Sequence, residues 1–267
     1  MDQTLLAVLA GIVQGVFEWL PISSEGNLAL LFTALGTDPD AAVSLALFLH
    51  LGTGVAAAAY YRRPLADLLA DLPSWRPQDA FADHPTLSFL LVATLASGVT
   101  GVASYLLLDA LVTSLTGGAF VALVGLLLVA VGSLQYATRD LVADTARDPD
   151  LRDALLVGAA QGVAILPGVS RSGTTTSALL LRGHDGPDAF RLSFLLSVPA
   201  ALGGAGIAYL DGGVPTLSPT SALLAVAVAV GYATIGALMR VVRRLPFWAV
   251  CVALGTLAVG GGVALAL

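Results

Sequence analysis

Gln14-Gly-Val-Phe-Glu-Trp-Leu-Pro-Ile-Ser-Ser-Glu-Gly-Asn27 and Gln161-Gly-Val-Ala-Ile-Leu-Pro-Gly-Val-Ser-Arg-Ser-Gly-Thr174 decide how this chain is read. Both stretches open on Gln-Gly, both carry a Pro ahead of a Ser-rich turn, and each reaches a common glycine, Gly26 or Gly173, 12 residues after its Gln. Each sets a carboxylate or a guanidinium among hydroxyls and glycines, inside surroundings that are otherwise lipid-soluble. Ionisable groups in such a setting are expensive to keep and mark function by default.

The remainder of the 267 residues fixes the class, with 57% hydrophobic residues and 11% charged. A soluble domain carries about 25% charged residues, so an integral membrane protein is expected. The opening Met1-Asp-Gln-Thr lacks the positive start of a signal peptide and no small-residue cleavage site follows, so the N-terminus is expected to stay in the mature fold. A single Cys, Cys251, excludes an intramolecular disulfide and a Cys-based metal site. There is no Lys: all 12 basic residues are Arg, and the only two glutamates, Glu18 and Glu25, both lie in the first motif. An acidic, Lys-free composition suits a high-salt cytoplasm, and a GC-rich genome gives the same bias; the net charge of −6 speaks of milieu, not of fold.

Runs of about 20 apolar residues can cross the hydrocarbon core. Six are present, at 41–61, 87–108, 118–136, 188–210, 219–239 and 246–266. The motif regions, 4–36 and 152–183, read instead as pairs of shorter helices broken by Pro, Gly, Ser and a charge. Irregular backbone at membrane depth is tolerated only where it is buried in protein or lines a cavity. The predicted fold is therefore an all-α polytopic membrane protein with two re-entrant helical hairpins and six transmembrane helices. One membrane domain, 1–267, divides into halves 1–140 and 150–267 around an Asp- and Arg-rich linker. Three spans per half is an odd number, so the second half enters from the opposite side and the halves form an inverted-topology repeat. Arginine placement agrees. With loop 62–86 in the cytoplasm, every Arg except Arg171 falls on that side, Arg243 and Arg244 included, as the positive-inside rule expects. Both termini and the loops near Asp38, Asp109 and Asp211 then face outward, and the site opens to the outer face.

The chemistry follows from spacing. Gln14 and Glu18, four apart, share one helix face, and their oxygens could hold a divalent cation, as Mg²⁺ is held by one or two carboxylates together with substrate phosphates; the alternative is packing by interhelical hydrogen bonds. Ser24 sits where an N-cap would sit, or it is an alcohol at a helix N-terminus, placed to attack phosphorus or bind a phosphate oxygen. In the second stretch Gly168, Ser170, Arg171, Ser172, Gly173 and Thr174 lead into a helix read over Ser177 to Leu181. Glycines allow close approach, hydroxyls and amides donate, and Arg offers a planar fork suited to phosphate. A purely structural Glu18–Arg171 pair would not need so many hydroxyls. The ligand inferred is an amphiphile with an anionic phosphate head and a lipid tail that comes in sideways from the bilayer.

At these residues the chain resembles the undecaprenyl-diphosphatase (bacitracin-resistance) family, over nearly its whole length. The motifs are Gln14-x-x-x-Glu18, Leu20-Pro-x-Ser-Ser24, Pro167-Gly-x-Ser-Arg-Ser-Gly-x-Thr175 and Arg191-Leu-Ser-Phe-Leu-Leu-Ser-Val-Pro199. The resemblance implies hydrolysis of a polyprenyl diphosphate to the monophosphate on the outer face, with a divalent cation, Mg²⁺ or Ca²⁺, so that the lipid carrier is reused. It implies that Gln14 and Glu18 form the acidic, metal-binding motif, that Ser24 is nucleophile or phosphate ligand, and that Arg171 with Ser170 and Ser172 binds phosphate. One departure matters: the family reads Ser-Ser-Thr/Ser-Gly-His where this chain has Glu25 and Asn27. Asn cannot act as a base, so the proton role is expected to pass to Glu18 or Glu25. Asn27 is kept as a substrate-binding candidate. His50, mid-span, is a candidate to face the site, or else a packing hydrogen-bonder; His84 and His184 fall in loops without a role.

The expected partners are the bilayer and the polyprenyl diphosphate, with a homodimer left open and no nucleic acid. The competing reading is a transporter or flippase of the same lipid, since inverted repeats meeting at the midplane are transporter architecture. A lipid phosphatase of the phosphatidic-acid type is disfavoured, because its signature uses Lys and His that these motifs lack.

Overall fold

A computed structural model of the protein describes residues 3–37, 39–112, 115–141, 147–212, 220–242 and 245–266, and the regular elements among them are all helical. In chain order these are α1 (Gln3–Phe17), α2 (Ser24–Ala34), α3 (Pro39–Tyr60), α4 (Arg62–Asp71), α5 (Ala80–Asp83), α6 (Pro85–Val112), α7 (Gly117–Thr138), α8 (Leu151–Val163), α9 (Arg171–Leu181), α10 (Gly186–Gly212), α11 (Thr220–Val242) and α12 (Phe247–Ala266). Asp38, Arg243 and Arg244, on which the expected topology partly rests, lie outside the described residues.

Five helices contain segments long and apolar enough to cross a membrane: Ala41–Tyr60, Pro85–Ala110, Gly117–Thr138, Gly186–Ile207 and Phe247–Leu265. The sixth expected span corresponds to α11, whose apolar segment Leu223–Leu238 is shorter. Large apolar side chains point out of the bundle, Leu210 at 85% exposure, Val99 at 74% and Leu257 at 73% among them. Such a surface would associate in water, and lipid is its natural solvent. The chain is thus an all-helical, multi-pass membrane protein. The loop read at 62–86 is not featureless: it carries α4, which has no buried residue, and the short α5.

The most extensive contacts are α7 with α12, α6 with α8, α1 with α11 and α3 with α10. Small residues permit them, as expected where the gain comes from close packing of backbones and not from exclusion of water. A Cβ on Gly125 of α7 would stand 2.6 Å from the Gly255 oxygen of α12, and one on Gly255 would stand 2.6 Å from the Gly125 oxygen. Gly11 and Gly15 pack α1 on α11, and Gly158 and Gly162 pack α8 on α6. Each pair repeats at four residues, one helix face, and each ends on the Gly of its Gln-Gly.

Candidate active site

Between α1 and α2 the chain turns sharply, and the turn is built to present Glu18 and Ser24. The Glu18 N–H still donates to the Gln14 oxygen at 3.0 Å, so the helical path continues far enough to stack Gln14 and Glu18 on one face. The cap of α2 is Ser23, not Ser24: Ser23 sits at φ 59, ψ 90 and its side chain accepts from the Gly26 N–H. A non-glycine residue at positive φ is strained by about 1–3 kcal/mol and persists where its surroundings fix it. Here the gain is that Ser24, first residue of α2, keeps its hydroxyl for the site. The Asn27 amide clasps the turn, donating to the Ile22 oxygen at 2.7 Å and the Ser23 oxygen at 2.8 Å. From α7, Gln135 donates to the Pro21 oxygen at 2.7 Å.

The second turn meets the first. Gly168, at φ 99, donates its N–H to Ser23 Oγ at 3.1 Å. The approach is so close that a Cβ on Gly26 would lie 2.5 Å from the Gly168 nitrogen. Ser170 caps α9 by accepting from the Gly173 N–H. The helix therefore begins at Arg171, six residues ahead of the Ser177 start expected from the sequence, because Ser170 and not Thr176 satisfies its first amides.

Seven of the expected residues surround one small chamber: Glu18, Ser24, Glu25, His50, Ser170, Arg171 and Ser172. Glu18 is its hub. One carboxylate oxygen, Oε1, pairs with Arg171 Nη2; the other, Oε2, accepts from Ser24 Oγ at 2.7 Å and from Gln14 Nε2 at 3.1 Å, and lies 3.1 Å from His50 Nε2. Glu25 Oε1 lies 3.1 Å from the same His50 nitrogen. Gln14 also donates to Thr53 Oγ1 at 3.2 Å. Arg171 stacks over Phe194 with its guanidinium carbon 5.9 Å from the ring centroid, and its Nη1 is buried with no partner in the protein. A buried donor left without an acceptor costs on the order of 1–3 kcal/mol, more when charged; an incoming anion would remove that cost.

A cavity of about 300 Å³ opens from this chamber. Its polar end carries Glu18, Glu25, His50 and Arg171, and its walls run between α6 and α10 past Gly98, Gly101, Gly203 and Gly204. A second cavity, of about 400 Å³, borders Ser172 from the side of Pro21, Gln135 and Phe247. The remaining candidates stand apart from the chamber. Asn27 is committed to its turn, and Gly168 to the contact between the two turns. Gly173 faces Gln135, whose Nε2 a Cβ there would meet at 2.6 Å. The Thr174 hydroxyl is buried without a partner.

Gln14 and Glu18 do not converge as ligands of a divalent cation in this arrangement, although Gln14 Oε1 is buried without a partner. Gln14 turns its NH₂ and not its oxygen toward the carboxylate, and both Glu18 oxygens already face donors, one of them a guanidinium. Among the described residues no three His, Cys, Asp or Glu side chains group as metal ligands.

A second polar cluster closes the base of α8 and α9, and the sequence reading had no role for it. Asp153, with no exposed side chain, receives Arg147 at 2.6 Å, Arg182 at 2.6 Å, His184 at 3.0 Å and the Asp150 N–H at 3.0 Å. Burial alone would raise its carboxyl; the Asp150 amide, Arg182 and His184 outweigh that and hold it below its ordinary 3.8. Thr53 and Gln135 were missed as well. Their only signal was being polar in an apolar run.

The family described as "Bacitracin resistance protein BacA" matches residues 7–257. Three similar proteins bear the name undecaprenyl-diphosphatase. That of Haloarcula marismortui is 52% identical over all of both chains. That of Methanococcoides burtonii is 39% identical over 95% of this chain and 96% of its own. That of Methanopyrus kandleri is 37% identical over 94% and 93%. With both motifs inside the matched range and similarity running from end to end, the chain belongs to the bacitracin resistance protein family.

Proposed function

We propose that the chain is an integral membrane phosphatase that hydrolyses a polyprenyl diphosphate of the undecaprenyl type to the monophosphate and inorganic phosphate, returning the lipid carrier to use. The observation that carries the reading is the buried, partnerless Nη1 of Arg171, a side chain that borders the cavity, set at the start of α9 beside the Ser24–Glu18 hydrogen bond. An Arg fork and helix-terminal amides suit a phosphoryl group, and phosphoryl transfer depends chiefly on positioning and charge stabilisation. Arg171 holds the terminal phosphate, Ser24 stands as nucleophile, and Glu18, 2.7 Å from its Oγ, takes its proton. Ser170 and Ser172 complete the cradle. The small-residue walls between α6 and α10 suit an acyl-like tail. The names of the three relatives favour hydrolysis, and a transporter of the same lipid has no use for an alcohol aligned on a carboxylate.

The finer architecture is part of this proposal. Exchanging the two halves (α1 with α8, α2 with α9, α3 with α10, α6 with α11, α7 with α12) carries α1–α11 onto α8–α6 and returns α3–α10 and α7–α12 to themselves, the four largest contacts. That symmetry supports an inverted repeat of halves 1–140 and 150–267 with two re-entrant hairpins, and the arginine distribution supports termini outside and a site opening to the outer face. The cation is carried forward separately, arriving on the diphosphate; unchanged activity after EDTA removes it.

The test is phosphate release by the purified, detergent-solubilised protein from farnesyl, undecaprenyl and dolichyl diphosphates. Release is expected, with Arg171→Ala lowering kcat/KM by about 10²–10³-fold, the range for loss of one preorganised donor. No release from any of the three overturns the reading.

A further inference from the structure

His50 borders the chamber without a part in the proposed hydrolysis, and any role for it there rests on the phosphatase reading. It arrives from α3, and its Nδ1 lies 2.9 Å from the Ala46 oxygen. A carbonyl oxygen only accepts, so Nδ1 carries hydrogen. Its Nε2 lies 3.1 Å from Glu18 Oε2 and 3.1 Å from Glu25 Oε1. Carboxylate oxygens on both sides of one nitrogen require a proton in that triangle, on the imidazole or on a carboxyl. The charged groups facing it are Glu18 from the first turn and Glu25 from α2; Arg171, from α9, pairs with the far oxygen of Glu18. Two acids and two bases, three of them buried and Arg171 nearly so, make an electroneutral set, the condition under which burial of charge is tolerable. The ring also borders the cavity of about 300 Å³, where water and substrate would stand.

We propose that His50 is the proton carrier of the hydrolysis, linking the carboxylate that serves Ser24 to the carboxylate that faces incoming water. As Ser24 Oγ bonds to the terminal phosphorus, the bridging P–O bond breaks and its electron pair leaves on the prenyl monophosphate; the Ser24 proton passes to Glu18 Oε2. Water then attacks the phosphoserine, the P–Oγ bond breaks, and Oγ takes a proton back from Glu18. Between the two steps His50 Nε2 passes the Ser24 proton from Glu18 to Glu25, from which it leaves with the prenyl monophosphate; the proton that water then gives to Glu25 returns through His50 Nε2 to Glu18 and so to Oγ, and one water is consumed with no other reactant needed. His50 Nε2, touching both carboxylates, lets a proton given at one side be replaced from the other. Asn27 cannot do this, since both its amide hydrogens are bound to main-chain oxygens.

The experiment measures kcat, KM and their pH dependence for phosphate release from undecaprenyl diphosphate by wild type, His50→Gln, His50→Ala and Glu25→Gln. Loss of a general acid–base group lowers rate by about 10²–10⁴-fold. In His50→Gln, kcat is expected to fall by that factor with KM little changed and one limb of the pH profile gone. Added imidazole should raise the rate of His50→Ala, and Glu25→Gln should lose the same limb. A His50→Gln enzyme within about threefold of wild type, with an unaltered profile, overturns the proposal while leaving the phosphatase reading intact. So does a folded His50→Ala that imidazole does not rescue, or a Glu25→Gln profile with both limbs. Absence of release by wild type instead rejects the phosphatase reading itself.

Discussion

Asn27 illustrates how a residue can hold a site without touching what binds there. Its two amide hydrogens tie the Ile22 and Ser23 oxygens, and so fix the strained cap that frees the Ser24 hydroxyl. Asn27→Asp replaces two donors by a charge facing two carbonyl oxygens. A stability loss of about 2–4 kcal/mol is expected, at the upper end for buried groups left unsatisfied. Thermal melting in detergent checks it; an unchanged midpoint would show that the turn stands without the clasp. At this scale the sequence was legible where a residue is chemically out of place. Glu18, Ser24 and Arg171 stand out in apolar surroundings, and they do meet. It was silent where the role lies in backbone geometry: nothing in the letters says that Ser23 adopts positive φ, which is why the cap was assigned one residue late. His50 was ambiguous for another reason. Its partners lie 32 and 25 residues away in the chain, and only the packing of α3 on α2 brings them together.

The broken helices were legible as elements, because Pro, Gly and a charge interrupt each apolar run. What closes the second of them was not. By sequence Arg147 and Asp150 belong to the polar linker, Asp153 and Arg182 to the two ends of the hairpin 152–183 and His184 to a loop, yet they converge on the buried Asp153 carboxylate, which pins the start of α8 to the end of α9. Asp153→Asn should destabilise by about 3–5 kcal/mol, the usual result of breaking a buried charge network, read as a lower melting temperature. The pH dependence has a definite sign. Because the folded chain holds the Asp153 carboxyl below its ordinary 3.8, its stabilising contribution is complete above that value and disappears as pH falls through the lower folded one. Acid melting as pH falls through and below 3.8 should therefore be less steep in Asp153→Asn than in wild type; parallel curves would refute the assignment.

For the molecule as a whole, hydropathy located the long helices within a few residues of their observed bounds, but it could not say which helix packs on which. Pairing here depends on glycines such as Gly125 and Gly255, and nothing local separates these from the other glycines of the chain. Orientation is open to direct measurement, because the only cysteine, Cys251, is buried. A membrane-impermeant maleimide should label Ala34→Cys in intact cells and Ser74→Cys only after permeabilisation, both positions being exposed; the reverse pattern would invert the topology. The junction of the two turns bears on more than catalysis. The two cavities reach the start of α9 at adjacent residues, Arg171 for one and Ser172 for the other. The packed turns that hold these two residues thus also stand between the cavities, so substitutions that loosen the junction are expected to raise ion leak across the membrane as well as slow the chemistry.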